Sequence, residues 1–230
     1  MFLAFMAFVT LAMTGCSNDD NEVSNLNEKI VGAYNYNAVD MGLSVKWADA
    51  NLGATSPEGY GDYYAWGETE INENYGWRTY KWCNGDYSKL TKYNNSISFG
   101  TVDDKTTLDA DDDVAHVKLG GKWRMPTGSE VDELISTRNN ANYRWEWKSI
   151  NGHNGWLVTY LVNNNSIFLP AAGHREDTDL DNVGSCGYYW SSSLYRVYPY
   201  NAYYLYVDYF GVSKNYETRY IGRSVRPVSE

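Results

Sequence analysis

The residue types that most often carry catalysis or bind a metal are few and scattered in this chain of 230 residues. Its three histidines, His116, His153 and His174, form no His-x-x-His pair. Structural zinc sites need closely spaced His or Cys ligands, so the sequence argues against one. Neither a Gly-x-Ser-x-Gly nucleophile turn nor a glycine-rich phosphate loop occurs. We therefore predict no catalytic residue, no cofactor and no metal site.

Two acidic segments, residues 109–113 and 177–181, offer the oxygen ligands that calcium prefers. Neither has the glycine and distal glutamate of an EF-hand loop. Acidic residues also favour the first turn of a helix, where they complement the helix dipole. We interpret the first segment as the solvated start of a short helix over about 111–117, with Val114 and Val117 facing the core.

Cysteine occurs only at Cys16, Cys83 and Cys186. A disulfide between Cys83 and Cys186 is plausible in a protein outside the cytoplasm. Two separate thiols fit the sequence equally well, because pairing is not visible in a sequence.

Tyrosine has the most uneven distribution, since 11 of its 22 copies lie between Tyr188 and Tyr220. Tyr gives rigid, amphipathic contact area, and Ser and Asn add adaptable hydrogen bonds, as in antibody paratopes. The alternative is that Tyr simply suits half-buried strands. The predicted ligand-binding residues are Tyr195, Tyr198, Tyr200, Asn201, Tyr204, Tyr206, Asp208, Asn215, Tyr216 and Arg219. The residues expected to form an exposed cluster are Tyr204, Tyr206, Tyr216 and Arg219.

The tyrosines of this segment are predicted to lie on β-strands, because apolar and polar residues alternate there with a period of two. Residues 202–209 alternate as a strand with one buried face does. A turn would lead into a partner strand near 212–216. Residues 223–228 predict a last strand, which Pro227 restricts to a sheet edge or a strand end.

The better helix signal lies in the middle of the chain. Residues 127–130, Thr-Gly-Ser-Glu, match a capping box, and apolar residues follow at helical spacing. Arg124 would pair with Glu130 or with an acid of the 111–113 run. Arg226, near the C-terminus, would be a buried, charge-assisted lock.

Composition limits the function classes. The formal charge is −10, so the basic surface that a nucleic-acid-binding domain needs is missing, and we predict no nucleic-acid partner. Aromatic residues make up 16% of the chain, far from the composition of disordered proteins. Short apolar-aromatic runs between turn residues indicate a β-rich domain. With the two helices, the predicted fold class is α+β.

The N-terminus predicts export and lipid anchoring. Residues 1–15 are apolar and uncharged, as in a signal peptide, and 13–16, Met-Thr-Gly-Cys, resemble a bacterial lipobox with Cys16 as the acylated residue. The following 17–20, Ser-Asn-Asp-Asp, resemble the export tag of Bacteroidota surface lipoproteins. We predict a signal peptide over 1–15, a flexible tether over 16–38 and attachment to the outer membrane, exposed on the cell surface.

Six motifs follow the tether. They are VDMGLSVKW (39–47), YGDYYAWGE (60–68), GGKWRMPT (120–127), FLPAAG (168–173), GYYWSSS (187–193) and GRSVRPV (222–228). In this order they resemble the Fibrobacter succinogenes major paralogous domain found in Bacteroidota lipoproteins. The resemblance covers 39–230 and implies a C-type-lectin-like fold, with two helices packed on twisted antiparallel sheets and a variable surface near the C-terminus. Function in that family is mostly uncharacterised.

The fold implied by the resemblance also includes formylglycine-generating oxidases, which use a Cys pair and copper late in the chain. Here the late segment 224–228 contains no Cys. We therefore expect a non-enzymatic, lipid-anchored surface protein that presents its Tyr-rich C-terminal face to a protein or glycan. The alternatives are an oxidase of that type and a purely structural surface component.

Overall fold

Antiparallel β-sheets account for most of the regular structure in a computed structural model that describes residues 35–230. All of these residues belong to one compact unit. The structure is therefore of the mixed α+β class with mainly antiparallel sheets. The predicted signal peptide over 1–15, the acylated Cys16 and the tether as far as residue 34 lie outside the described residues.

The strands within residues 35–230 are short at both ends of the chain and long in its second half. They are β1 (Ala38–Val39), β2 (Lys46–Ala48), β3 (Trp123–Arg124), β4 (Tyr143–Ile150), β5 (His153–Tyr160), β6 (Asn165–Pro170), β7 (His174–Glu176), β8 (Asp179–Asp181), β9 (Cys186–Leu194), β10 (Asn201–Asp208), β11 (Gly211–Thr218) and β12 (Val228–Ser229). The α-helices are α1 (Val114–Leu119) and α2 (Gly128–Ser136).

Four sheets form from these strands. Their orders are β1-β2-β12-β3, β11-β10-β9, β4-β5-β6 and β7-β8. The first sheet joins the two ends of the domain, because Val228 of β12 pairs with both Trp47 and Arg124. The Tyr-rich segment forms β10 and β11, a hairpin with Tyr203 opposite Tyr216.

The central sheet β9–β11 is covered on both faces. Leu205 of β10 belongs to one hydrophobic core together with Leu134 of α2. Its neighbour Tyr204 points the other way, into a second core that contains Trp66 and Trp190. Tyr203, Tyr206 and Asp208 are the partly exposed residues of β10, and the rest of the strand is buried, which limits how much of β10 a ligand can reach.

Helix α2 begins as predicted. The Thr127 side chain accepts a hydrogen bond from the Glu130 amide at 3.2 Å, and the Glu130 carboxylate accepts one from the Thr127 amide at 2.7 Å. Arg124 donates to both oxygens of Glu130, at 2.8 and 2.6 Å. The predicted capping box and the predicted ion pair are therefore confirmed.

Helix α1 begins later than predicted, after Asp113, whose carboxylate accepts hydrogen bonds from the amides of Ala115 and His116. Val114 is buried as predicted, but Val117 is 46% exposed, so its prediction was wrong. The last two residues of the acidic segment 109–113 are not exposed to solvent as predicted, because Asp112 and Asp113 are both buried. These carboxylates bind protein groups.

The two ends of the domain differ from expectation. Tyr36 donates a hydrogen bond to the Asn51 carbonyl, and Ala38 pairs with Ala48, so the packed domain includes the last residues of the predicted tether. At the C-terminus, only Val228–Ser229 form the predicted last strand. Residues 223–227 are instead buried in the core, where Arg223 and Ser224 make isolated β-bridges to Tyr64 and Tyr189.

Candidate functional site

The ten predicted binding residues fall into three groups by exposure. The exposed ones are Tyr198, Asn215 and Tyr216; the half-buried ones are Tyr195, Tyr200, Tyr206 and Asp208; the buried ones are Asn201, Tyr204 and Arg219. The expected exposed cluster of Tyr204, Tyr206, Tyr216 and Arg219 does not form, because only Tyr216 of these is exposed.

Tyr204 was predicted to bind ligand, and the structure corrects this. Its ring packs edge-on against Trp190 at 5.9 Å and lies 3.5 Å from the guanidinium carbon of Arg223. The segment that contains Arg223 crosses the face of β10 that alternation alone assigned to solvent. Only 8% of Tyr204 remains exposed, and its role is to pack.

Arg219 was also predicted to bind ligand, and it is fully buried. Its guanidinium stacks over the rings of Trp66 and Tyr80, at 5.4 and 5.3 Å, and donates to the Tyr93 carbonyl at 2.9 Å. Burial lowers the pKa of Arg219 from its ordinary value. Arg219 therefore holds Trp66, Tyr80 and Tyr93 together inside the domain and is not accessible to a ligand.

Asn201 is the third correction. It lies at the start of β10, where its backbone closes the loop before it: its amide donates to the Tyr198 carbonyl and its carbonyl accepts from the Tyr195 amide. This position at the base of the loop leaves Asn201 only 7% exposed.

Tyr206 and Asp208 are half-buried and bond to each other rather than to the exposed tyrosines. The Tyr206 hydroxyl donates to the Asp208 carboxylate at 3.0 Å and lies 3.3 Å from the Cys186 sulfur. Cys186 and Cys83 are both free thiols, so the disulfide alternative is not realised.

The remaining tyrosines form a continuous surface. Tyr216 stacks on Tyr195 with ring centroids 3.7 Å apart, and Tyr195 is 6.2 Å from Tyr198. Tyr198 stacks on Tyr200 at 5.6 Å, and Tyr200 meets Tyr87 edge-on at 5.4 Å. We call these five residues the aromatic band.

Tyr87 was not predicted. It lies more than a hundred residues before the other members, on a loop that the fold brings to the 195–200 loop. Asn95, on that same stretch of chain, donates to the Arg196 carbonyl at 2.9 Å and ties the two loops together. The local cluster of aromatic residues from Trp77 to Tyr87 is a sequence signal for another aromatic surface, but nothing in it indicates the partner.

The two chain segments that carry or support the band also contain exposed apolar side chains. Ile97 is 83% exposed and Val197 is 63% exposed, next to Tyr198 at 44%. Large apolar side chains exposed on a folded domain mark an interaction site when they form one patch with the band. Phe99 supports the band from below, with its ring 5.2 Å from Tyr200.

One end of the band borders a cavity of about 200 Å³ lined by Trp77, Tyr87, Tyr200 and Thr218. We call it the ring cavity. A larger cavity of about 400 Å³ adjoins it at Trp77 and is lined by the carboxylates of Glu176 and Asp177.

Within residues 35–230, no three His, Cys, Asp or Glu side chains are grouped so as to hold a metal ion. Over the same residues, no helix has the length and apolar character needed to cross a membrane. Comparison of the chain with protein-family models, with curated proteins and with solved structures finds no match.

Proposed function

We propose that this chain is a lipid-anchored surface protein whose aromatic band binds a protein or glycan ligand without catalysing a reaction. The proposal includes the C-type-lectin-like fold and membership of the paralogous domain family that the six motifs resemble. It also includes acylation at Cys16 and exposure on the outer membrane.

The continuity of the aromatic band is the observation that supports this function best. Four predicted residues, Tyr195, Tyr198, Tyr200 and Tyr216, contact each other ring to ring at the surface. Rings already stacked in the free protein lose little conformational entropy on binding, so the surface is organised in advance for a ligand.

The test is a binding screen of the domain on a glycan array and on an array of extracellular proteins. We expect at least one probe to bind, and Tyr198→Ala together with Tyr216→Ala to weaken that binding about tenfold or more, as for aromatic hot spots. Tyr209→Ala is the matched control, because Tyr209 is 66% exposed but lies outside the band.

Two results would refute the proposal. Absence of any binding above background would favour a purely structural surface component. Binding that tolerates loss of both band tyrosines but is lost in Tyr209→Ala would place the ligand at another surface.

A further inference from the structure

The ring cavity is an aromatic cage that is open to solvent, with three aromatic rings on its walls. Trp77 and Tyr87 have ring centroids 6.5 Å apart with planes inclined at 53°, and Tyr87 meets Tyr200 at 5.4 Å and 67°. The three rings thus present differently tilted surfaces around one space of about 200 Å³. That volume is below the usual range for whole small-molecule ligands and suits a single side chain or headgroup.

The electrostatics of the cavity favour a cation. The face of an aromatic ring carries negative potential, and a cation enclosed by several faces gains from each of them. Besides the three rings, only Thr218 lines the cavity, so no basic side chain competes for this space.

Carboxylates lie next to the cage. Tyr220 is 5.0 Å from Trp77, and its hydroxyl donates to the Glu176 carboxylate at 2.7 Å. Burial and this bond raise the pKa of Tyr220 to about 12, so the hydroxyl stays neutral as a donor. Asp177 lines the adjoining cavity with Glu176, and Arg78 is its one basic lining residue. The formal charge of −10 also attracts cations at longer range.

The cage is held in place before any ligand arrives. Phe99 supports both Tyr200 and Tyr87, at 5.2 and 6.4 Å. The Cys83 thiol donates to the Trp77 carbonyl at 3.1 Å. A preformed cage avoids the entropic cost of ordering its walls on binding.

From this geometry we infer that the ring cavity binds an organic ammonium cation of the ligand, either a trimethylammonium group or the primary ammonium of a lysine side chain. The inference rests on the proposed function, because it identifies an anchoring group of the ligand at one end of the aromatic band.

Calorimetric titration of the folded domain with three small probes tests the inference. Choline and Nα-acetyl-lysine methylamide carry the two sources of the cation, and 3,3-dimethylbutan-1-ol is the uncharged analogue of choline. We expect at least one cation to bind about tenfold or more tightly than the neutral alcohol, since the cation–ring attraction is absent for the alcohol. The cation that binds more tightly identifies which of the two ammonium groups the ligand carries.

Single substitutions test whether the cations bind in the ring cavity. Trp77→Ala and, separately, Tyr87→Ala should each weaken cation binding about 2- to 30-fold, the range of one cation–ring contact. Tyr87 is 47% exposed, so its variant tests the site even if loss of Trp77 disturbs folding. Tyr209→Ala should bind the cations as the unmodified domain does.

Equal binding of choline and its neutral analogue, failure of both cations to bind, or full binding by Tyr87→Ala would overturn the ammonium site. A probe on the arrays that depends on Tyr198 and Tyr216 but not on the cage would still support the proposed function, so the two proposals can fail separately.

Discussion

At the scale of single residues, Arg226 joins three segments that are far apart in the chain. It is fully buried, and its guanidinium donates to the Asn51 side chain at 2.9 Å, the Ala48 carbonyl at 3.1 Å and the Phe168 carbonyl at 2.6 Å. Hydrogen bonds from a charged donor are the stronger kind, and their loss leaves buried acceptors without partners. The predicted lock is therefore confirmed as a buried hydrogen-bonding centre.

We predict that Arg226→Met lowers the free energy of unfolding by about 3 kcal/mol or more, since methionine fills the space but satisfies none of these acceptors. Guanidinium denaturation of the domain measures the change. The control is Arg144→Met, since Arg144 is 57% exposed and pairs with Glu146 on the surface, where such pairs contribute about 0–1 kcal/mol. Equal effects of the two substitutions would contradict the role of Arg226.

Glu130 gives a second residue-scale prediction, on pH. Burial alone would raise the pKa of this carboxyl, but the bonds from Arg124 and Thr127 outweigh it and lower the pKa below the ordinary 4.5. A carboxyl with a lowered folded-state pKa stabilises the fold above its ordinary pKa, and that stability is lost as the pH falls through the folded-state value.

Glu130→Gln should therefore be less stable than the unmodified domain at pH 7, and the difference should shrink as the pH falls below about 4.5. Thermal unfolding across this pH range measures it. Glu146→Gln at the exposed end of a surface pair is the control. A stability difference for Glu130→Gln that stays constant from pH 7 to pH 3 would refute the prediction.

At the scale of elements, β5 and β6 pack closely at Gly155. An added methyl group there would lie 2.3 Å from the Leu169 carbonyl oxygen and 2.7 Å from the Pro170 Cα, both backbone atoms. We predict that Gly155→Ala destabilises the domain by about 1–3 kcal/mol, since the strands must separate to admit it. Gly211→Ala in β11 is the matched control, because its nearest contact is a flexible arginine at 3.6 Å. Denaturant unfolding with equal midpoints would contradict this packing.

Helices and strands were predictable from the sequence where the residues that determine them are close together in the chain. The capping box of α2 uses two residues three positions apart, so Thr127 and Glu130 predict where the helix begins. Alternation correctly predicted the strand that became β10, but not which of its residues are exposed. The burial of Tyr204 depends on contact with Arg223, which reaches it from the C-terminal segment. No local pattern contains that contact.

At the scale of the whole molecule, the proposed role requires both an anchor and an accessible surface. Acyl chains bind a membrane with about 0.8 kcal/mol per buried CH₂, and two or more are needed for stable attachment. We predict that Cys16→Ala moves the protein from the membrane fraction to the soluble fraction of its host cells, without changing the binding by its aromatic band. Retention of the variant in the membrane fraction would contradict acylation at Cys16.

The most direct test of the account is hydroxyl-radical footprinting of the domain, free and bound to a probe recovered from the arrays. In the free domain we predict fast labelling of Tyr87, Tyr198 and Tyr216 and protection of Tyr204. With the probe bound, the band tyrosines should become protected while the exposed Tyr209 stays reactive. Protection of Tyr209 with an unprotected band would contradict the claim that the aromatic band is the ligand-binding surface.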